Sequence, residues 1–203
     1  MAKVSQEELI KAAIAGVAVI TFPTDTVPAL AARPDKAEAI FQTKQRPPDK
    51  PLILMGATAE SLWQFVDSQT WELECWQQIA RQYWPGALTL VLPASSAVPP
   101  AVNPTDPTTI GLRVPKCEIA LEILKRTGPL ATTSANLSGQ PPLLTVADID
   151  RQFPEVLSLK ESPPESGSAI PSTVVRWTKN GDWEILRSGA VELIGPLPKS
   201  TVK

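Results

Sequence analysis

Pro129-Leu-Ala-Thr-Thr-Ser134-Ala-Asn136-Leu-Ser138-Gly139-Gln-Pro-Pro142 is the stretch on which the reading of the chain turns. Its apolar start reads as a short strand and its middle as a polar loop that closes on glycine. The two prolines then keep regular structure from resuming. If the backbone stays extended as far as Asn136, Ser134 and Asn136 project to the same side, because side chains alternate along a strand. A hydroxyl and an amide at a strand end sit where α/β folds place ligands. The same residues also make ordinary capped turns, so the rest of the chain must decide.

Immediately upstream, Thr108 to Val114 alternates cleanly as a strand. Ile110, Leu112 and Val114 face one way, and Thr109, Gly111 and Arg113 the other. Lys116 to Arg126 reads as the helix that follows. At the start of the chain, Ser5 to Ala15 is a helix with a Ser5/Glu8 capping box and a closing Gly16. Val17 to Phe22 is a strand that runs into Pro23-Thr24-Asp25-Thr26-Val27-Pro28, a second hydroxyl-rich loop. Asp35 to Thr43 is a helix with Asp35 and Glu38 as its capping box. Pro47 biases Arg46 toward extended angles, so Lys44 and Arg46 are expected to project together as a cationic claw, followed by Lys50. A solvated basic last turn is the alternative.

Pro51 to Met55 and Ala87 to Leu92 read as strands, with Thr89 the polar position in the second. Helices are expected from Thr58 to about Val66, from Trp71 to Tyr83 and from Thr145 to Phe153. Val156 to Leu159 reads as a short strand. Residues 93–107 form a proline-rich loop, and 161–169 a mobile one. Asn180-Gly181 between Ser172–Trp177 and Trp183–Arg187 marks a hairpin. No internal repeat appears; residues 1–195 read as one domain and 196–203 as a frayed tail.

With 203 residues, 43% hydrophobic and 20% charged, the chain is long enough for a substantial core. The net charge of −2 gives no global attraction to nucleic acid. There is no histidine, which removes Ser-His-Asp and Cys-His catalysis and His-ligated zinc. Cys75 and Cys117 have neither metal-ligand spacing nor a disulfide framework. The N-terminus lacks an apolar signal core and no apolar run is of membrane-spanning length, so a cytoplasmic protein is expected. The remaining candidates are hydroxyls at strand ends (Thr24, Thr26, Ser134, Ser138, Ser172) and cations (Lys44, Arg46, Lys50, Arg113, Arg187). Fixed cations with hydroxyl donors and no imidazole base suit a polyphosphate, whose transfer needs positioning and charge neutralisation. Neither a Walker A pattern nor a Gly-rich dinucleotide fingerprint is present.

Taken together, Pro23-Thr-Asp-Thr-Val27, Lys44-Gln-Arg-Pro47 with Pro51-Leu52, Trp84-Pro-Gly-Ala-Leu-Thr89, Leu112-Arg-Val-Pro115, Ser134-Ala-Asn-Leu-Ser-Gly139, Pro171-Ser-Thr-Val174 and Leu186-Arg-Ser-Gly189 resemble the YrdC-like threonylcarbamoyl-AMP synthases in order and spacing, from about residue 6 to about 191. The resemblance implies a single α/β domain: a twisted mixed sheet with flanking helices and a large open cleft. It implies formation of threonylcarbamoyl-AMP and pyrophosphate from L-threonine, bicarbonate and ATP, for use by a separate transferase that modifies adenosine in tRNA. By position, Lys44, Arg46, Ser134 and Asn136 would form the catalytic set. Arg46, Lys50, Thr89, Ser138, Ser172 and Arg187 would hold ATP. Thr24, Thr26, Arg113 and Ser134 would hold threonine and bicarbonate. No carboxylate cage for a metal is visible, so Mg²⁺ would ride on the ATP phosphates.

Members of the family usually continue the first motif as Thr-Val-Tyr-Gly-Leu-Gly, where this chain has Thr26-Val-Pro28-Ala29-Leu-Ala31, and Met55 stands where some members carry histidine. These departures fall at the threonine end. They leave two other readings: a paralogue with a different amino-acid substrate, and a non-catalytic module that docks double-stranded RNA, tRNA or ribosomes through the basic rim.

Overall fold

Ser5 caps the first helix as its sequence predicts: its hydroxyl accepts from the Glu8 amide, and the Glu8 carboxylate accepts from the Ser5 amide at 2.8 Å. The computed structural model describes residues 3–161, 167–194 and 197. In chain order its elements are β1 (Lys3–Val4), α1 (Gln6–Ala15), β2 (Ile20–Phe22), β3 (Ala29–Ala32), α2 (Glu38–Lys44), β4 (Ile53–Met55), α3 (Thr70–Tyr83), β5 (Leu88–Pro93), β6 (Thr109–Arg113), α4 (Glu118–Thr127), β7 (Leu130–Ser134), α5 (Val146–Gln152), β8 (Ser158–Leu159), β9 (Thr173–Trp177) and β10 (Trp183–Arg187).

Among the described residues, the main sheet has eight strands in the order β10-β9-β5-β6-β4-β7-β3-β2. The β5–β9 and β4–β6 pairs are parallel and the other neighbours antiparallel. β1 and β8 form a separate parallel ribbon. It is tied to β2 by the Thr21 amide, which donates to the Leu157 carbonyl at 2.9 Å. The fold is the mixed, twisted α/β sheet with flanking helices that the family resemblance implies.

The period-two alternation of the strands places the cleft. One parity (Leu30, Leu54, Leu90, Leu92, Ile110, Leu112, Val175) is buried in a core with Ile40 of α2, Trp76 and Ile79 of α3 and Ile149 of α5. The other parity splits into two halves. Ala31 and Leu130 are covered by Leu9, Ile10 and Ala13 of α1 and Ala120, Ile123 and Leu124 of α4, with Ala29 and Met55 at the border of this cluster and the cleft. Beyond those helices the same face is open, and Thr89, Val91, Gly111, Arg113, Thr132 and Val174 floor a cleft.

Three local expectations are corrected. Asp35 does not cap a helix: its carboxylate accepts from Arg33 at 2.6 and 2.8 Å, so Pro34–Lys36 forms a 3-10 turn and α2 begins at Glu38. The stretch from Thr58 to Val66 yields only a 3-10 turn at Trp63–Phe65. There the Ser61 hydroxyl donates to the Thr58 carbonyl at 2.7 Å, competing for an acceptor that a helix would give to its own ladder. Finally, the exit of α2 is not extended. Gln45 is left-handed (φ 49°) and the Arg46 amide returns to the Phe41 carbonyl at 2.9 Å, a Schellman-type end that separates Lys44 from Arg46.

The hairpin of β9 and β10 forms as expected around Gly181, at φ 74°. The expected mobile loop and frayed tail fall largely on residues 162–166, 196 and 198–203, outside the described residues. No described helix is long and apolar enough to cross a membrane.

Candidate active site

The open half of the sheet is a cleft of about 470 Å³. Of the residues singled out in the sequence, Thr26, Arg46, Thr89, Arg113, Ser134, Ser172 and Arg187 lie on its wall. Thr24, Lys44, Lys50, Asn136 and Ser138 are not on the wall and support it through hydrogen bonds.

On β6, at the centre of the sheet, stands Arg113, 3% exposed. It is a built cation rather than a surface arginine. Its Nε donates to the Gly86 carbonyl at 3.0 Å, one terminal nitrogen to Thr26 Oγ1 at 2.9 Å, and the other to Asp25 Oδ1 at 2.7 Å. Asp25 Oδ1 also accepts from the Lys116 amide at 3.0 Å. Burial lowers the Arg113 pKa, and the Asp25 charge opposes that shift. Asp25 was not singled out in the sequence. The signal was there: a carboxylate between two threonines at a strand end, and an inward arginine in need of a counter-ion. The chain that returns after the 162–166 segment braces this corner. The Ser168 and Ala169 amides donate to the Asp25 and Thr26 carbonyls, both at 3.0 Å, and a Cβ on Gly167 would sit 2.1 Å from the Thr26 carbonyl oxygen.

Along the β7 wall, Lys44 is fully buried and turned toward the 133–136 segment. Its ammonium donates to Thr133 Oγ1 at 3.2 Å, to the Ser134 carbonyl, and to Asn136 Oδ1 at 3.3 Å. The Asn136 amide nitrogen donates to the Leu137 and Gln140 carbonyls at 2.8 and 2.7 Å, which turns Oδ1 toward Lys44 and the Ser134 hydroxyl. Ser134 and Asn136 therefore do meet, as the extended reading predicts. Burial, reinforced by the charges of Arg46 and Lys50, lowers the Lys44 pKa from 10.5 to about 7.

The claw is a different shape from the one expected. Arg46 donates to the Lys50 and Pro51 carbonyls at 2.8 and 2.9 Å, which pins the loop and holds its guanidinium at the cleft. Lys50 is exposed and reaches Ser138 Oγ at 3.4 Å.

On the β9–β10 side of Arg113, Thr89 Oγ1 and Ser172 Oγ are 2.8 Å apart. Arg187 donates to the Ser172 carbonyl at 3.1 and 2.8 Å and to its hydroxyl at 3.3 Å. Thr89 is thus a cleft residue and not merely β-branched filler. Asn103, Asp106 and Arg176 also line the cleft and were missed, because the first two lie in a proline-rich loop and the third in a strand read only as part of a hairpin. Of the departures from the family pattern, Pro28 and Ala29 of the first motif and Met55 line the cleft, whereas Ala31 lies under α1 and α4. The described residues hold no group of three or more His, Cys, Asp or Glu side chains able to bind a metal.

The family model Sua5/YciO/YrdC, described as telomere recombination, matches residues 12–189. A threonylcarbamoyl-AMP synthase of Vibrio campbellii is 35% identical over 187 residues, covering 90% of this chain and 98% of the relative. A threonylcarbamoyl-AMP synthase of Pyrococcus abyssi is 33% identical over 181 residues, covering 86% of this chain and 51% of the relative. The chain thus spans about half the length of that archaeal relative. The crystal structure of P. abyssi Sua5 complexed with L-threonine superposes with a TM-score of 0.78 at 31% identity, over 93% of this chain and 56% of that one.

Proposed function

The chain belongs to the Sua5/YciO/YrdC family, and from that premise we propose that it is an L-threonylcarbamoyladenylate synthase, a nucleotidyltransferase that joins L-threonine, bicarbonate and ATP. The observation that carries the reading is one continuous cleft. It joins a buried, oriented guanidinium at Arg113 to the Ser172–Arg187 pair on its β9–β10 side and to Ser134, backed by Lys44 and Asn136, on its β7 side.

Arg113 takes the threonine carboxylate, with Thr26 and Ser134 beside the rest of the amino acid. The threonine amine attacks the carbon of bicarbonate; the new C–N bond forms, water leaves, and a carbamate results. A carbamate oxygen then attacks the α-phosphorus of ATP, and the bond to the β-phosphate oxygen breaks to release pyrophosphate. Two anions must meet in this step. Arg46 and Arg187 on the wall offset that repulsion, with Lys44 buried behind the wall and Lys50 on the exposed loop adding to the same field, and charges shielded from water count for more than they would in solution. No side-chain nucleophile is needed, in keeping with a chain that has no histidine. Mg²⁺ is carried in on the phosphates and supplies further charge neutralisation there. The product serves a separate transferase that modifies adenosine in tRNA.

The cleft rim mixes Arg46, Arg176 and Arg187 with Asp49 and Asp106, which favours a small zwitterionic and phosphorylated cargo over an RNA backbone. Pyrophosphate release from ATP, measured with Mg²⁺ and bicarbonate, should depend on added L-threonine and yield threonylcarbamoyl-adenylate by mass spectrometry. Nucleotide binding without threonine-dependent release would sink the proposal.

A further inference from the structure

We propose that Thr24 is a positioning residue that fixes the direction of the hydrogen bonds at the amino-acid end of the cleft, so that the hydroxyls there accept and do not donate. This rests on the threonine reading of the site.

A threonine hydroxyl has one hydrogen and two lone pairs, and a carbonyl oxygen can only accept. Thr24 Oγ1 lies 2.7 Å from the Val27 carbonyl, so the Thr24 hydrogen is committed there. Thr24 Oγ1 and Thr26 Oγ1 are 3.1 Å apart. With the Thr24 hydrogen spent, that contact has one direction: Thr26 donates to Thr24. Arg113, which can only donate, supplies Thr26 Oγ1 at 2.9 Å. The relay therefore runs Arg113 to Thr26 to Thr24 to the Val27 carbonyl. Thr24 is 1% exposed, so no solvent competes for its hydroxyl. Thr26 reaches the cleft with its hydrogen used and one lone pair to offer.

The same inventory holds across β3 and β7. Asn136 spends its amide hydrogens on the Leu137 and Gln140 carbonyls, so its Oδ1 faces Ser134 as an acceptor and takes the Ser134 hydrogen at 2.5 Å. Ser134 pairs with Ala29 in the sheet, three residues from Thr26. Two acceptor hydroxyls therefore line the cleft, Thr26 beside Arg113 and Ser134 on the β7 wall.

A substrate suited to this end brings the hydrogens itself: an α-amino acid with a β-hydroxyl donates from both its amine and its hydroxyl. The polarity also serves the chemistry. An acceptor beside the amine takes an N–H and leaves the nitrogen lone pair free to attack carbon, whereas a hydroxyl donor would occupy that lone pair.

The test compares kcat/KM for L-threonine and L-2-aminobutyrate, which lacks the hydroxyl, in the wild type, Thr24→Val and Thr24→Ser, with ATP, Mg²⁺ and bicarbonate saturating. In Thr24→Val the Thr26 hydroxyl and the Thr26 amide, which donates to Thr24 Oγ1 at 3.2 Å, both lose their acceptor, and the hydroxyl hydrogen can turn into the cleft. The threonine preference should fall by about tenfold or more, because a site built to take a substrate hydroxyl discriminates through that bond. Thr24→Ser, which keeps the hydroxyl, should restore the preference. A ratio of two substrates is insensitive to the fraction of protein folded. Should Thr24→Val not fold, binding of the wild type to the 3-fluoro analogue of L-threonine decides the matter. Fluorine cannot donate, so the analogue should bind no better than L-2-aminobutyrate. An unchanged ratio in folded Thr24→Val, or a fluoro analogue that binds like threonine, overturns the relay while leaving the synthase reading intact. A wild type with neither threonine binding nor threonine-dependent pyrophosphate release overturns both.

Discussion

Arg113→Gln should lose about 10³-fold or more in kcat/KM for L-threonine, the scale on which removing one oriented charge from a preorganised site is felt. The same substitution should cost about 3 kcal/mol of stability, because it leaves Asp25 without its guanidinium partner. Asp25 is more solvated than Arg113, with its side chain 14% exposed against 3%, so the penalty falls at the low end of the range for a broken buried pair. The two effects separate in a double-mutant cycle followed by urea melts and threonine-dependent pyrophosphate release. Asp25→Asn together with Arg113→Gln removes both charges and should recover most of the stability, with none of the activity. Arg113→Lys keeps the charge but not the fork that reaches Gly86, Thr26 and Asp25 at once, so it too should remain nearly inactive. Activity that returned with stability in the double variant would make Arg113 a structural cation.

The elements legible in the sequence were those whose cause is local. The Ser5/Glu8 box, the Asn180-Gly181 hairpin and the Thr109/Gly111/Arg113 alternation each rest on a pattern a few residues long, and each appears as read. The errors arose where a side chain found a partner that pattern alone does not reveal. Asp35 went to Arg33 instead of capping α2, and Ser61 returned its hydroxyl to Thr58 and stopped a helix. The site divides in the same way. Ser134 and Asn136 are two apart on one strand end, so their meeting could be foreseen. The pairing of Arg113 with Asp25 spans 88 positions and depends on sheet order, which no local pattern supplies. Lys44 and Arg46 look alike in the sequence, yet a left-handed Gln45 sends one into the wall and keeps the other at the cleft.

Lys44→Met should reduce pyrophosphate release by about 10²–10³-fold, and the more discriminating result is how that loss depends on pH. In the free protein burial holds the Lys44 pKa at about 7, below its ordinary 10.5. A bound triphosphate favours the ammonium and raises that value again. Below pH 7 the charge is already present when ATP arrives. Above it, binding must take up a proton, so the dissociation constant for ATP should rise by up to about tenfold per pH unit until the pKa of the complex is reached. The methionine variant, with nothing to titrate there, should lose this slope. Stability follows the complementary sign. Between about pH 7 and 10.5 the unfolded chain keeps a proton that the folded chain has released, so the folded state gains stability as pH rises through that window. The penalty for burying the charge is fully present below pH 7. Urea melts at pH 6.5 and 9.5 should therefore show wild type gaining on Lys44→Met as the pH rises, whatever the absolute difference left by the unpaired Thr133, Ser134 and Asn136 acceptors. Parallel pH profiles for ATP affinity in the two proteins would place Lys44 outside the phosphate site and leave it a structural tie between α2 and the 134–136 loop.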